Sequence, residues 1–482
     1  MHFRTASSAK GAVERPDGDK IYVAFRFRGG GTVGKELFGT DGIRGIPGKF
    51  PLDDSTLDRV GLALGKFLSS QVSARNHPRV LIGRDTRESG PHMVEQIARG
   101  LNQAHAEPIS AGVLTTPGVA WLVHREGFAA GVVISASHNP YHDNGVKLIS
   151  SSGMKFSDAI ETELEQLILS PNGLRPSTTQ VVVHSDEKLH EDYLDGLKQA
   201  LLPDAKIAGM KIVLDCANGA ASKLAPQLFR SLGADVAAIN DRPDGKNINA
   251  NCGSLHPEEL RRRVSELGAQ LGVAFDGDAD RAIFVNEAGN LVDGDGVLLV
   301  AGRYLKRVGK LRGNTIVGTT MANLGLERSL HKSGLKLART AVGDRYVLEE
   351  MQRIGANLGG EQSGHILFLD DATTGDGMLT AVKIASIVSI CGPLGELTAH
   401  LKVFPQKIVN VRVKSKPALD SLPAVARKLQ EANYALRDRG RVVLRYSGTE
   451  PLARVMVEAE EQRYVDQWVE ALVGALQSSI GV

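Results

Sequence analysis

The stretch Gly131-Val-Val-Ile-Ser-Ala-Ser-His-Asn-Pro140 limits what this chain can fold into. The run from Gly131 to Ile134 is apolar at every position, as expected of a strand buried on both faces. Small polar residues end the run, and Asn139-Pro140 turns the chain. Ser135, Ser137 and His138 are thus delivered to a loop at the C-terminal edge of a strand, the edge where open α/β sheets bind ligands.

The sequence before this stretch supports that geometry. Helical periodicity over Asp54 to Ser70 precedes a strand at Arg79 to Gly83 and the loop Arg84-Asp-Thr-Arg-Glu-Ser89. An amphipathic helix from about Pro91 to Ala106 leads to a strand at Glu107 to Val113, then to Thr115-Thr-Pro-Gly118 and a further helix. This alternation with short loops argues for a largely parallel sheet with helices on both faces. Beyond Pro140, Asp143 to Ile149 reads as a turn and a returning strand that carries Lys147 back beside the serine loop. A lysine there supplies a point charge to a phosphoryl group. Earlier, Phe38-Gly-Thr-Asp-Gly-Ile-Arg-Gly45 sets Arg44 between glycines in a tight turn.

The length, 482 residues, allows three or four domains. A formal net charge of +2 implies no bulk polyanion, so no nucleic-acid partner. The most apolar segment, Met378 to Cys391, is shorter than a membrane span and is interrupted by Lys383, so no membrane partner is expected. Cys216, Cys252 and Cys391 are odd in number and lack metal or redox spacing, which fits free thiols in a reducing cytoplasm. Residues 1–34 are rich in basic residues and show no period, and read as a mobile tail. The polar stretch Ser170 to Gln180 is a candidate boundary.

Three later loops carry chemistry. The strand ending at Phe275 runs into Asp276-Gly-Asp-Ala-Asp-Arg281, with a strand after it. Carboxylates at i, i+2 and i+4 repel one another unless a divalent cation sits between them, and an all-oxygen set suits Mg²⁺. An EF-hand is rejected, since Arg281 stands where that loop needs glycine and the flanks are strands. An aspartyl nucleophile at Asp276 remains an alternative. Gly359-Gly-Glu-Gln-Ser-Gly-His365 presents Glu361, Ser363 and His365, a set suited to a polyhydroxylated ligand. In a final α+β unit, Arg445-Tyr-Ser-Gly-Thr-Glu-Pro451 with Arg454 forms an anion cradle from Ser447, Gly448, Thr449 and two arginines. No Walker pattern is present, so the cradle is not a nucleotide P-loop.

These four motifs, in this order, resemble those of the α-D-phosphohexomutase superfamily from about Lys35 to the C-terminus. Within it the chain is most similar to the bacterial phosphoglucosamine mutases, on Gln362, Cys252-Gly-Ser254, Gly343-Asp344 and Arg454-Val-Met-Val457. Leu255, where threonine is expected, and Tyr446 depart from the pattern. The resemblance implies three similar α/β domains with mixed, mostly parallel sheets, at 35–180, 181–287 and 288–401. It adds a smaller C-terminal α+β domain at 402–482, all around a central cleft.

The resemblance also implies an isomerase that interconverts glucosamine 6-phosphate and glucosamine 1-phosphate through a 1,6-bisphosphate, on the route to UDP-N-acetylglucosamine and peptidoglycan. Ser137 would be the phosphoserine, and Mg²⁺ would be held by Asp276, Asp278, Asp280 and the Ser137 phosphoryl group. Arg44, Lys147 and Arg281 would add positive charge. Glu361 and Ser363 would hold sugar hydroxyls, and His138, Lys147 and His365 are the candidates for the base. An activating kinase and a homodimer belong to the same expectation. A phosphomannomutase/phosphoglucomutase is the alternative enzyme, and a non-catalytic sugar-phosphate binder the remote one.

Overall fold

The structure is a computed structural model that describes residues 36–39, 41–71, 77–170, 183–186, 188–447 and 451–482. The expected tail at 1–34, the boundary stretch at 171–180, and Gly448 and Thr449 lie outside the described residues.

Three sheets repeat one arrangement. In the first, strands Arg79–Arg84, Glu107–Val113 and Ala130–Ile134 are parallel, and Asn144–Ser150 returns antiparallel beside Ala130–Ile134. In the second, Lys211–Asp215, Asp235–Ile239 and Leu271–Phe275 are parallel, and Ala282–Asn286 returns beside Leu271–Phe275. In the third, Thr315–Thr319, Lys336–Thr340 and Leu358–Gly360 are parallel, and Ile366–Phe368 returns beside Leu358–Gly360. Each time the last parallel strand ends in a hairpin, and the hairpin connection is the motif-bearing loop: 135–143, 276–281 and 361–365. A parallel crossover needs a helix, whereas a hairpin needs only a short loop. These are therefore the strand ends where no crossover helix follows to cover the polar groups.

Shorter strands extend the edges. Gly42–Gly45 pairs antiparallel with Asn144–Ser150 and sets Arg44 opposite Gly145. His184–Ser185 pairs with Glu107–Val113, so the chain leaves the first sheet only after residue 185. The fourth sheet is antiparallel, with Leu452–Ala459 between Gln406–Arg412 and Gly440–Tyr446. The anion-cradle sequence lies between strands Gly440–Tyr446 and Leu452–Ala459.

Burial follows the pleat. Ala130, Val132 and Ile134 pack with Leu57, Ile97 and Leu101 of helices Asp54–Ser69 and Gly90–Gln103. Val133 faces the other way, with Val119 and Val123 of helix Thr116–Arg125. That second core continues through Phe275, Leu358 and Met378, so the first three sheets share one apolar interior. Helix Gly377–Cys391 is buried on nearly all sides, which explains why it is apolar at almost every position. Lys383 within it is satisfied by Asp371 at 2.8 Å. Among the described residues no helix is long and apolar enough to cross a membrane.

The first and second units meet at close quarters around residue 277, and within the second, Gly219 lies against Gly277. A Cβ on Gly219 would fall 2.4 Å from the Gly277 carbonyl oxygen. We expect Gly219→Ala to cost about 1–3 kcal/mol through overpacking, read as a lowered Tm. In contrast, Gly474→Ala, which meets nothing within 4 Å in helix Gln462–Ile480, should raise stability by about 0.5–1 kcal/mol.

Candidate active site

The serine loop and the carboxylate loop meet. Ser137 is 2% exposed, and its Oγ donates to Asp276 Oδ2 at 2.6 Å. His138 Nδ1 lies 3.3 Å from the same Oγ. Ser137 adopts φ 51°, left-handed for a residue with a side chain. Its amide donates to Ser135 Oγ at 2.9 Å, so the first serine of the motif shapes the turn for the second.

Asp276, Asp278 and Asp280 are all buried, and each offers an oxygen within 4.8 Å of the others. Asp278 Oδ2 accepts from Thr116 Oγ1 at 2.6 Å and from Lys147 Nζ at 3.1 Å. Asp278 Oδ1 and Asp280 Oδ1 are buried and accept no hydrogen bond. An orphaned carboxylate oxygen is costly away from water. Two of them facing one loop, beside a third carboxylate, fit the coordination shell of a hard divalent cation.

The backbone of this loop is gripped from three sides. Ala220 N donates to Gly277 O at 2.8 Å, Thr116 N to Asp278 O at 3.1 Å, and Gly377 N to Ala279 O at 3.0 Å. These donors stand at the starts of helices Ala221–Ser231, Thr116–Arg125 and Gly377–Cys391, which belong to the second, first and third units respectively. Each helix start is an orphan donor with partial positive charge, and the acidic loop satisfies all three.

Charges are compensated unevenly. Burial, reinforced by Asp280 and Asp278, pushes the Asp276 carboxyl well above the usual carboxylate range. Burial would raise Asp280 too, but His365, Lys147 and Arg281 outweigh it and hold Asp280 low. Burial alone would lower Lys147; Asp278, Asp41 and Asp280 instead raise it, so it stays an ammonium. Its Nζ lies 3.2 Å from Asp41 and 3.8 Å from Asp280. His138 is pushed down by burial and by Arg281. For His365, burial is outweighed by Asp280, 3.7 Å away, and its pKa is raised.

The remaining candidates fall in two groups. Arg281 joins the carboxylates, with its amide on Asp276 Oδ1 at 3.2 Å and Nε 3.7 Å from Asp280. Arg44 is partly exposed and pairs with Asp41 at 2.6 Å. In the third-sheet loop, Glu361 accepts from Gly343 N at 3.1 Å, Ser363 is exposed and His365 is buried. Gln362 turns away to Asp293, the N-cap of helix Gly294–Arg307. Arg445, Ser447 and Arg454 form a separate cluster on the fourth sheet. Arg445 and Arg454 are direct cross-strand partners, and burial together with Arg454 lowers the Arg445 pKa. Like charges directly opposite repel, and an anion between them would relieve that repulsion.

Several members of the site had no role assigned from sequence. Asp41 and Asp344 both bind Lys155, the latter at 2.6 Å, and so link the first and third units beside Lys147. Thr116 lay in a noted turn without a task. Lys416 Nζ donates to Ser447 O at 2.7 Å. Arg87 and Asn249 both reach the serine loop from other loops. Their partners are backbone carbonyls or residues of other units, which no local pattern encodes.

The chain matches four phosphoglucomutase/phosphomannomutase domain families in order: alpha/beta/alpha domain I over residues 35–172, domain II over 191–289, domain III over 293–404, and the C-terminal domain over 408–475. It is 49% identical over 450 residues to a phosphoglucosamine mutase of Solibacter usitatus, covering 93% of this chain and 100% of that one. Among solved structures, a phosphoglucomutase/phosphomannomutase family protein from Burkholderia thailandensis shares the fold, with TM-score 0.75 and 24% identity over 94% of this chain and 100% of that one. So does an Aspergillus fumigatus N-acetylphosphoglucosamine mutase in complex with GlcNAc-6P and magnesium, with TM-score 0.65 and 18% identity over 92% and 96% of the two chains. The chain belongs to the phosphoglucomutase/phosphomannomutase family and, within it, to the phosphoglucosamine mutases.

Proposed function

We propose that this protein is an isomerase that interconverts D-glucosamine 6-phosphate and α-D-glucosamine 1-phosphate, with Ser137 as the phosphoryl carrier. The observation that carries the assignment to Ser137 is its Oγ, 2.6 Å from one of three buried carboxylates that carry two orphaned oxygens. The substrate follows the phosphoglucosamine mutase kinship, and the products would feed UDP-N-acetylglucosamine and peptidoglycan synthesis. Three free thiols fit a cytoplasmic setting. The proposal includes first loading of Ser137 by a kinase or a sugar bisphosphate, and a homodimeric state.

Asp276, Asp278 and Asp280 would hold Mg²⁺, together with an oxygen of the Ser137 phosphoryl group. Bound there, the cation supplies charge neutralisation at the transferring phosphoryl group. The chain's own residues do the rest. Arg445, Ser447, Gly448, Thr449 and Arg454 take the phosphate already on the sugar, and Glu361 and Ser363 take its hydroxyls. Arg44, Lys147 and Arg281 would surround the phosphoserine with positive charge, and His365 would join Glu361 and Ser363 on the substrate. The bond from phosphorus to Ser137 Oγ breaks as one from phosphorus to the free sugar hydroxyl forms. His138, whose Nδ1 lies 3.3 Å from Ser137 Oγ, would take the proton from the sugar hydroxyl and pass it to the serine oxygen as that oxygen leaves phosphorus. The 1,6-bisphosphate then turns over, and its other phosphoryl group passes back to Ser137. A cradle that reads phosphate without reading the carbon that bears it accepts both orientations.

Ser137→Ala should abolish turnover and remove the phosphoserine seen by peptide mass spectrometry. Phosphate found on Asp276 would instead make the aspartate the carrier. Mg²⁺ added to metal-stripped protein should raise Tm with dose, by mass action on the folded state, and Asp278→Ala should lose that response. A coupled assay should show glucosamine 6-phosphate turned over faster than glucose or mannose 6-phosphate. The reverse ranking would move the chain to the phosphomannomutase/phosphoglucomutase activity.

A further inference from the structure

We propose that Asn249 is a positioning residue for the phosphoryl carrier, acting from the second unit upon the backbone of the first. This inference rests on the assignment of Ser137 as that carrier.

Asn249 belongs to the polar loop Asn247-Ile-Asn-Ala-Asn-Cys-Gly-Ser-Leu-His256, which the proposed reaction leaves without a task. Its Nδ2 donates to Ser137 O at 2.9 Å and to Asn139 O at 3.0 Å, so both amide hydrogens are used. Arg87 of the first unit reaches the same two carbonyls, with Nη2 3.3 Å from Ser137 O and 2.6 Å from Asn139 O. Arg87 is itself fully buried and tied to Asp85 through Nη1. Two side chains from two units therefore place four hydrogen bonds on the carbonyls that bracket His138.

Three further features belong to this clamp. Ser137 sits at φ 51°, a conformation that residues with side chains rarely adopt, so something outside the residue must hold it. Relaxation to negative φ would swing the Cα–Cβ bond and take Oγ away from Asp276. Asn249 is also left-handed, at φ 57°, and its amide donates to Ala217 O at 2.9 Å. Asparagine tolerates that conformation better than most residues. Finally, a Cβ on Gly277 would fall 2.5 Å from Ser137 O and 2.8 Å from Asn249 Nδ2. Glycine at 277 thus leaves open the passage through which the asparagine amide reaches the serine loop.

The function of such a clamp follows from the reaction. A carrier that gives up a phosphoryl group and takes one back must return its oxygen to one place in every cycle. A displacement of about 1 Å at a reacting atom costs on the order of 100-fold in rate. Asn249 makes no contact that would bind sugar or its distal phosphate, so its loss should appear in kcat and not in KM.

Arg87 is a poor test, because removing it buries Asp85 unpaired. Asn249→Gly keeps the left-handed backbone and deletes the amide. Asn249→Asp keeps the shape and exchanges two donors for acceptors. Both should lower kcat about 100-fold, with KM for glucosamine 6-phosphate within about threefold, a fall in Tm of a few degrees at most from the lost hydrogen bonds, and slowed single-turnover loss of phosphate from Ser137. Asn247→Ala, in the same loop but bonded to Arg242 O, should keep the wild-type kcat. Wild-type kcat in Asn249→Gly, or an equal loss in Asn247→Ala, would overturn the positioning role. If the wild-type enzyme carries no phosphate on Ser137, the carrier assignment fails first. If it does and Asn249→Gly transfers it at the normal rate, only the clamp fails.

Discussion

Three consecutive carbonyls, those of Gly277, Asp278 and Ala279, accept hydrogen bonds from helix starts in the second, first and third units. The site depends on this grip. A carboxylate-rich loop left to itself would open to reduce repulsion among Asp276, Asp278 and Asp280. Here its backbone is tied to three otherwise unsatisfied helix ends, and its charge lies where three helix dipoles point. One interaction therefore sets the fit of three units and the shape of the metal loop. It explains why Gly219, Gly277 and Gly377 must be small, since a Cβ on Gly377 would lie 2.5 Å from Arg281 O.

Around that loop the ionisable groups form a continuous chain from Asp41 through Lys147 to Asp278 and Asp280, with His365 and Arg281 beyond. Even so, Asp278 Oδ1 and Asp280 Oδ1 accept no hydrogen bond. Lys155 extends the chain between Asp41 and Asp344. The same charges that complete the site therefore also hold the first and third units together. Burial makes the arrangement sensitive: removing one member takes a partner from charges held largely away from water.

Local structure was readable because it rests on local physics. The apolar run at Gly131 to Ile134 and its fellow before Asp276 appear as the strands Ala130–Ile134 and Leu271–Phe275. The loops carrying Ser137, the three aspartates and Glu361 were legible from glycine, proline and charge. Less legible was their common origin as hairpin connections, because the returning strands pair antiparallel with neighbours that only sheet order reveals. Gln362 shows the limit well. It marks the subfamily in sequence, yet its amide caps a helix through Asp293 and does not point to the sugar.

By itself the sequence determined which side chains could do chemistry, since a nucleophilic serine, a carboxylate set and paired arginines are properties of residue type and spacing. It also determined the family, because four motifs in one order leave little room for another reading. Only the tertiary structure decided what surrounds Ser137: a left-handed turn, a carboxylate 139 positions away and two clamping side chains, 50 and 112 positions away. The physical reason is that hydrogen bonds to backbone carbonyls are open to any donor that packing brings near. No sequence pattern names the carbonyl that Asn249 or Arg87 will find.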